Sequence, residues 1–407
     1  MASPTRVVVV GAGHAGVAAS VALARSGDIE VLLLSDEAQL PYERPPLTKK
    51  VLAAETPEPV LLRSEDYWER SPIDLHLGWK VVRVDPRDKI VESSSGELMG
   101  YDVLVWATGG QALSPGLPGE DAKGIHRIRD FADTERLVAD LHEARSAVVV
   151  GGGYIGLETA AAMRQRGLEV LVVELGPRVL GRVAGPVVSR FFDDLHRSHG
   201  VDVRCGLGVR GFDTVDGHVR GVHLTDGTRV SADVAVLGVG MAPNVSPLLD
   251  AHAKGDFGGV DVDEHCRTSL PDVFAIGDCV RQSNPWSVTR EALRVESVHN
   301  AGVQAAAVAA VVGGGEVRPT PPPRFWSTQF GREFKSVGLP SLEDEVIVRG
   351  EVGADFSVTY LREGRLVAID TIDRPKDFAR GQSLVAARWT VPDRARLADP
   401  SAELPRP

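Results

Sequence analysis

Short apolar runs that close on glycine alternate with stretches of helical spacing through most of the chain. Residues 6–10 (Arg-Val-Val-Val-Val) show no polar alternation, the pattern of a parallel strand buried on both faces. The loop Gly11-Ala-Gly-His-Ala-Gly16 follows. A helical pattern then runs from Val17 to Arg25 and ends near Gly27, and residues 30–34 predict a second buried strand. That is one complete strand–helix–strand unit. It recurs about 140 residues later: strand Val148–Val150, loop Gly151-Gly-Gly-Tyr-Ile-Gly156, helix Leu157–Gln165 stopped by Gly167, and strand Glu169–Val173 closing at Glu174.

Three further apolar runs end on glycine. Tyr101–Ala107 enters Thr108-Gly109-Gly110, residues 234–239 enter Gly240, and residues 273–276 enter Gly277-Asp278. A helix is predicted over about Ser297–Val312, and the prolines of residues 319–323 read as a linker. Beyond it, Glu345–Glu351, Ser357–Arg362 and Leu366–Ile372 have the period of antiparallel strands, and Pro375–Arg388 that of a helix. The tail from Pro392 is expected to fray. The pattern predicts an α/β chain with two Rossmann-like dinucleotide-binding domains and a C-terminal α+β domain. The expected boundaries are 1–109 with 241–318, then 110–240, then 319–407.

Composition narrows the class. The 407 residues are 43% apolar and 25% charged, ordinary globular values. A net charge of −11 argues against a nucleic-acid partner. No secretory leader and no run approaching 18 apolar residues is seen, so no membrane span is expected. Cys205, Cys266 and Cys279 form neither a C-x-x-C pair nor a metal-ligand set, which fits a reducing cytoplasm.

The glycine loops carry the chemistry. Each follows a predicted strand and opens a helix, so backbone N–H groups and the helix N-terminus face a pyrophosphate. Each unit also has an acid for ribose hydroxyls: Asp36 or Glu37 in the first, Glu174 in the second, 23 residues after Gly151. A carboxylate at Glu174 repels a 2′-phosphate, which favours NAD over NADP, although Arg178 and Arg182 follow closely. Glycine at Thr108-Gly109 and Gly277-Asp278 lets a ligand approach closely, and Asp278 offers an acceptor to polyol hydroxyls.

Together with Pro41-Tyr-Glu-Arg-Pro-Pro-Leu-Thr-Lys49, Ala275-Ile-Gly-Asp-Cys279, Val295-Glu-Ser-Val-His-Asn-Ala301 and Phe325-Trp-Ser-Thr-Gln329, these motifs resemble the glutathione-reductase-like FAD reductases. Within them the chain is most similar to the ferredoxin reductases of bacterial oxygenase systems, over residues 6 to about 390. The resemblance implies FAD on Gly11, Gly13, His14, Ala15 and Gly16, with Asp36 or Glu37 on the adenosine ribose, Arg44 and Lys49 along the cofactor, and Val82 on adenine. Asp278 would bind the ribityl chain, with Ala107, Thr108, Gly109 and Gly277 also against the cofactor. Glu296, Ser297, Val298 and Trp326 would border the isoalloxazine. NADH would occupy Gly151, Gly153, Tyr154, Ile155 and Gly156, with Glu174, Arg182 and Gly240. Lys49 and Glu158 are the expected catalytic pair, Lys49 pointing to flavin N5. Position 298 is Val where some relatives have Trp, which puts side-chain detail there in doubt but not a backbone contact.

The cysteine pair of disulfide reductases is absent, as is the single cysteine of the NADH oxidases, so electrons are expected to leave for a protein acceptor. The implied activity is hydride transfer from NADH to FAD, then single electrons to an acidic, two-iron ferredoxin, from a monomer or weak dimer. Arg290, Arg294, Arg324, Arg332 and Lys335 are candidates for a basic docking face. Competing readings are a monodehydroascorbate- or quinone-type reductase and an apoptosis-inducing-factor-like redox sensor.

Overall fold

The computed structural model describes residues 4–289 and 291–406. By internal contacts the chain divides into two units: one of residues up to Arg44, Val60–Gln111 and Ala242–Pro323, the other of Pro45–Pro59, Ala112–Met241 and all from Arg324.

In the first unit the run of valines lies mid-sheet. Five parallel strands stand in the order Val273–Ala275, Val103–Trp106, Thr5–Val10, Ile29–Leu34, Ile73–His76. Val7 and Val9 face one core, which holds Ala15, Val17 and Leu23 of helix His14–Leu23 and Ala301, Ala305 and Val308 of helix Val298–Val312. Val8 and Val10 face a second core with Leu32, Trp106 and Leu248. Cover on both faces is why the strand lacks alternation.

The second unit repeats this plan, with parallel strands ordered Asp202–Cys205, Glu169–Glu174, Ser146–Val150, Val234–Leu237, Ile125–His126. It also contains an antiparallel sheet ordered Arg324–Gln329, Arg332–Gly338, Arg365–Ile372, Phe356–Arg362, Glu345–Gly350. Its last three members match the predicted strands; the first two were not foreseen. Along Arg324–Gln329 the alternation is inverted: Ser327 and Gln329 point inward while Trp326 is exposed. Phe191 and Phe192 of helix Pro186–Ser198 pack edge-on against Phe356 and Phe334 of this sheet, at ring-centroid distances of 5.2 and 6.0 Å.

By internal contacts residues 45–59 group with the second unit. Arg166, which caps helix Tyr154–Gln165, donates to the carbonyls of Leu52 and Ala54 at 3.0 Å each. The tail is not frayed. It forms helix Arg394–Ala398 and buries Leu397 and Leu404. The buried Arg349, paired with Asp377 at 3.0 Å, donates to the carbonyls of Leu397, Asp399 and Ala402, satisfying backbone acceptors that would otherwise need water. No helix among the described residues is long and apolar enough to cross a membrane.

Candidate functional site

The two glycine loops are built alike. Gly11 N–H donates to Leu34 O and Gly151 N–H to Val173 O, both at 2.8 Å. A Cβ on Gly16 would stand 1.8 Å from Gly11 O, and one on Gly156 would stand 2.0 Å from Gly151 O, so helix and loop meet without room for a methyl group. A Cβ on Gly13 or Gly153 would touch nothing within 4 Å. Those two residues are the N-caps of helices His14–Leu23 and Tyr154–Gln165, and neither helix start is capped by a side chain. An open glycine beside uncapped helical N–H groups is what a pyrophosphate requires, so both loops fit a dinucleotide.

Around the first loop, a Cβ on Gly277 would stand 3.0 Å from the Ala15 methyl, and Gly277 N–H donates to Gln304 Oε1 at 2.8 Å. This brings Asp278 beside the loop that holds His14 and Ala15. Ala107, Thr108 and Gly109 follow the central strand, and Trp106 Nε1 and Thr108 Oγ1 both donate to Asn244 O, at 2.8 and 2.7 Å. Asn244 thus fastens this strand end. Glu37 accepts from Tyr42 Oη and Arg44 Nη2, while Asp36 is exposed. The shared register puts Ser35, not an acid, at the position matching Glu174. Ser35 is buried, and its Oγ accepts from Glu37 N–H at 3.2 Å. Val82 is exposed on strand Val81–Asp85. Ser297 caps helix Val298–Val312, accepting from Asn300 N–H, and Glu296 pairs with Arg294 at 3.0 Å.

Around the second loop, Glu174 folds back over it. Its carboxylate accepts from Gly152 N–H and Gly176 N–H, both at 2.6 Å. Arg178 is turned onto its own loop, donating to Ala184 O and Gly181 O. Arg182 instead reaches Gly240: its Nη2 lies 3.9 Å from where a Cβ would stand. Ile155 is exposed; Tyr154 is half-buried with its hydroxyl enclosed, and its ring packs 6.0 Å from Phe334.

Lys49 and Glu158 meet. Lys49 Nζ lies 2.7 Å from Glu158 Oε2, and Thr48 Oγ1 donates to the same oxygen at 2.6 Å. Ser327 Oγ donates to Oε1 at 2.5 Å. Glu158 is 5% exposed, and these donors with one cation compensate its burial. The family resemblance pointed to the Lys–Glu pair but gave no sign of Thr48 or Ser327.

All three cysteines are free thiols. Burial pushes Cys266 and Cys279 up to about 12 and also raises Cys205. Among the described residues no group of His, Cys, Asp or Glu forms a metal site.

Two glycine cradles, and an ion pair of Lys49 with a buried carboxylate, fit a flavoprotein reductase that handles two dinucleotides. The chain belongs to the pyridine nucleotide-disulphide oxidoreductase family, whose model matches residues 5–305, and it carries the reductase C-terminal domain over residues 324–406. It is an FAD-dependent oxidoreductase using NAD(H). It is 44% identical over 405 residues to the 5,5'-dehydrodivanillate O-demethylase ferredoxin reductase subunit of a Sphingobium species, covering 98% of this chain and 97% of that one. Putidaredoxin reductase of Pseudomonas putida is 37% identical over 394 residues, covering 95% and 92%. Among solved structures, the covalent putidaredoxin reductase–putidaredoxin complex superposes with a TM-score of 0.91 at 36% identity, covering 98% of this chain and 96% of that one. A ferredoxin reductase from Rhodopseudomonas palustris superposes with a TM-score of 0.93 at 34% identity, covering 98% of each chain.

Proposed function

We propose that the chain is an NADH:ferredoxin reductase that feeds an oxygenase system. The observation that carries this reading is the pairing of two open glycine cradles with a chain whose thiols are unsuited to redox exchange. Cys266 and Cys279 are buried and hold their protons well above neutral pH, and no second cysteine lies near either in sequence. Electrons taken from NADH therefore have no internal disulfide to reduce. The similarity to reductases named for ferredoxins and putidaredoxin supports a small iron–sulfur protein as acceptor.

When bound, FAD supplies the exchange between a two-electron donor and a one-electron acceptor. The protein binds and orients. Helices starting at His14 and Tyr154 present N–H groups to the two pyrophosphates, and Asp278 offers its carboxylate to hydroxyls beside the first loop. Glu158 fixes the Lys49 ammonium, and the helix capped at Ser297 would offer its N-terminus, with its partial positive charge, to the flavin ring. We further propose the three-domain division given above, an acidic two-iron ferredoxin, a monomer or weak dimer, and a cytoplasmic setting. The test is cytochrome c reduction by NADH with and without a two-iron ferredoxin. Turnover that requires the ferredoxin is expected; turnover indifferent to it sinks the reading.

A further inference from the structure

Glu158 is the end of a longer buried string. Ser327 Oγ donates to Glu158 Oε1 at 2.5 Å, Gln329 Nε2 donates to Ser327 Oγ at 3.1 Å, and His196 Nε2 lies 2.8 Å from Gln329 Oε1. Ser327, Gln329 and His196 are each no more than 1% exposed. Three distant stretches of sequence meet here: helix Tyr154–Gln165, strand Arg324–Gln329 and helix Pro186–Ser198.

The direction of every bond follows from one end. A carboxylate only accepts, so the single Ser327 hydroxyl proton points to Glu158. Ser327 Oγ can then only accept from Gln329, which fixes the amide NH2 on that side and the amide oxygen on the other. That oxygen requires His196 to carry its proton on Nε2, leaving Nδ1 bare. His196 Nδ1 is indeed buried without a partner. Its ring packs edge-on to Phe330 at 5.0 Å, and the charged or titratable neighbours that bear on it are Asp193 and His199. A buried string whose bonds all run in one direction holds a single geometry.

We propose that Ser327, Gln329 and His196 are positioning residues. As a one-way donor string they hold the Glu158 carboxylate, and through it Lys49, in the orientation the bound flavin meets. The proposal rests on the reading of this chain as a flavin reductase but not on its electron acceptor. Position 327 reports directly on the string, because Ser327→Ala removes the donor to Oε1 while Lys49 and Thr48 still hold Oε2.

The experiment uses the FAD-loaded full chain. Ser327→Ala and Gln329→Met are expected to slow flavin reduction by NADH about tenfold, the size of one lost bond to a charged group, and to shift the flavin midpoint potential. Ser327→Thr, which keeps the hydroxyl, is expected to restore both. Nitrogen-15 NMR of His196 is expected to show the Nε2–H tautomer in the wild type and to lose that signature in Gln329→Met. Unchanged reduction rate and potential in Ser327→Ala, failure of Ser327→Thr to restore them, or an Nδ1–H tautomer in the wild type would overturn the proposal. None of these readouts involves ferredoxin, so wild-type flavin reduction without ferredoxin turnover would refute the proposed acceptor and leave the string intact.

Discussion

Asp370 is a fully buried acid in the antiparallel sheet. Its Oδ2 accepts from Tyr360 Oη at 2.7 Å. Burial pushes its carboxyl up to about 6, against the opposing bonds from Ser336 and Tyr360. An unfolded aspartate titrates near 3.8. Between these values the native state keeps a proton that the unfolded chain has lost, so stability falls as pH rises from about 4 to 6. Above that window the cost is on the order of 3 kcal/mol. His196 acts in the opposite sense. Burial drives it down to about 4 from 6.5, so stability is lost as pH falls through that range. The wild-type curve mixes the two slopes, whereas the difference between Asp370→Asn and wild type isolates one. Asp370→Asn is expected to melt a few degrees higher at pH 7.5 and to match wild type at pH 4. Thermal melts at both pH values measure this, and an offset that does not change with pH would refute the assignment.

At the scale of elements, the expected preference between dinucleotides turns on a strand end. Glu174 closes strand Glu169–Glu174, and its carboxylate is pinned by Gly152 and Gly176 rather than free to swing away. A fixed negative charge there accepts ribose hydroxyls and repels a 2′-phosphate. Wild type is expected to give the higher kcat/KM with NADH. Glu174→Ala should lower that value roughly tenfold and raise the value for NADPH. Steady-state kinetics with both nucleotides decide the matter; an unchanged preference would remove Glu174 from the role. The strand Arg324–Gln329 shows where pattern reading fails. Its inward residues are Ser327 and Gln329, and its outward one is Trp326, so hydrophobicity marks the wrong face. Polar residues occupy the inner face because the carboxylate of Glu158 and the ring of His196 lie beneath them.

For the whole molecule, with a net charge of −11, docking of the proposed acidic ferredoxin would fall to local cations. Those singled out are locally engaged. Arg332 bridges Asp355 and Asp373, Lys335 pairs with Glu333, Arg294 with Glu296, and Arg324 bonds Gln382; Arg290 lies outside the described residues. Lys335 still stands opposite the exposed Trp326 across two strands. Arg324→Glu with Lys335→Glu is expected to raise the KM for ferredoxin several-fold and flatten its salt dependence, leaving NADH–ferricyanide turnover unchanged. Ferredoxin kinetics indifferent to both changes would place docking elsewhere.

Sequence by itself determined the doubled strand–loop–helix plan, because valine runs and glycine spacing are each imposed by local geometry. It also pointed to Lys49 and Glu158, through motifs lying more than a hundred residues apart. Only the tertiary structure decided what surrounds them. It joined residues 45–59 to the second unit, tied the tail to Arg349, put Ser35 rather than an acid at the position equivalent to Glu174, and ran a polar string from His196 to Glu158. Those outcomes depend on which backbone carbonyls and carboxylates a buried side chain finds across distant segments, and periodicity along the chain carries no trace of such pairings.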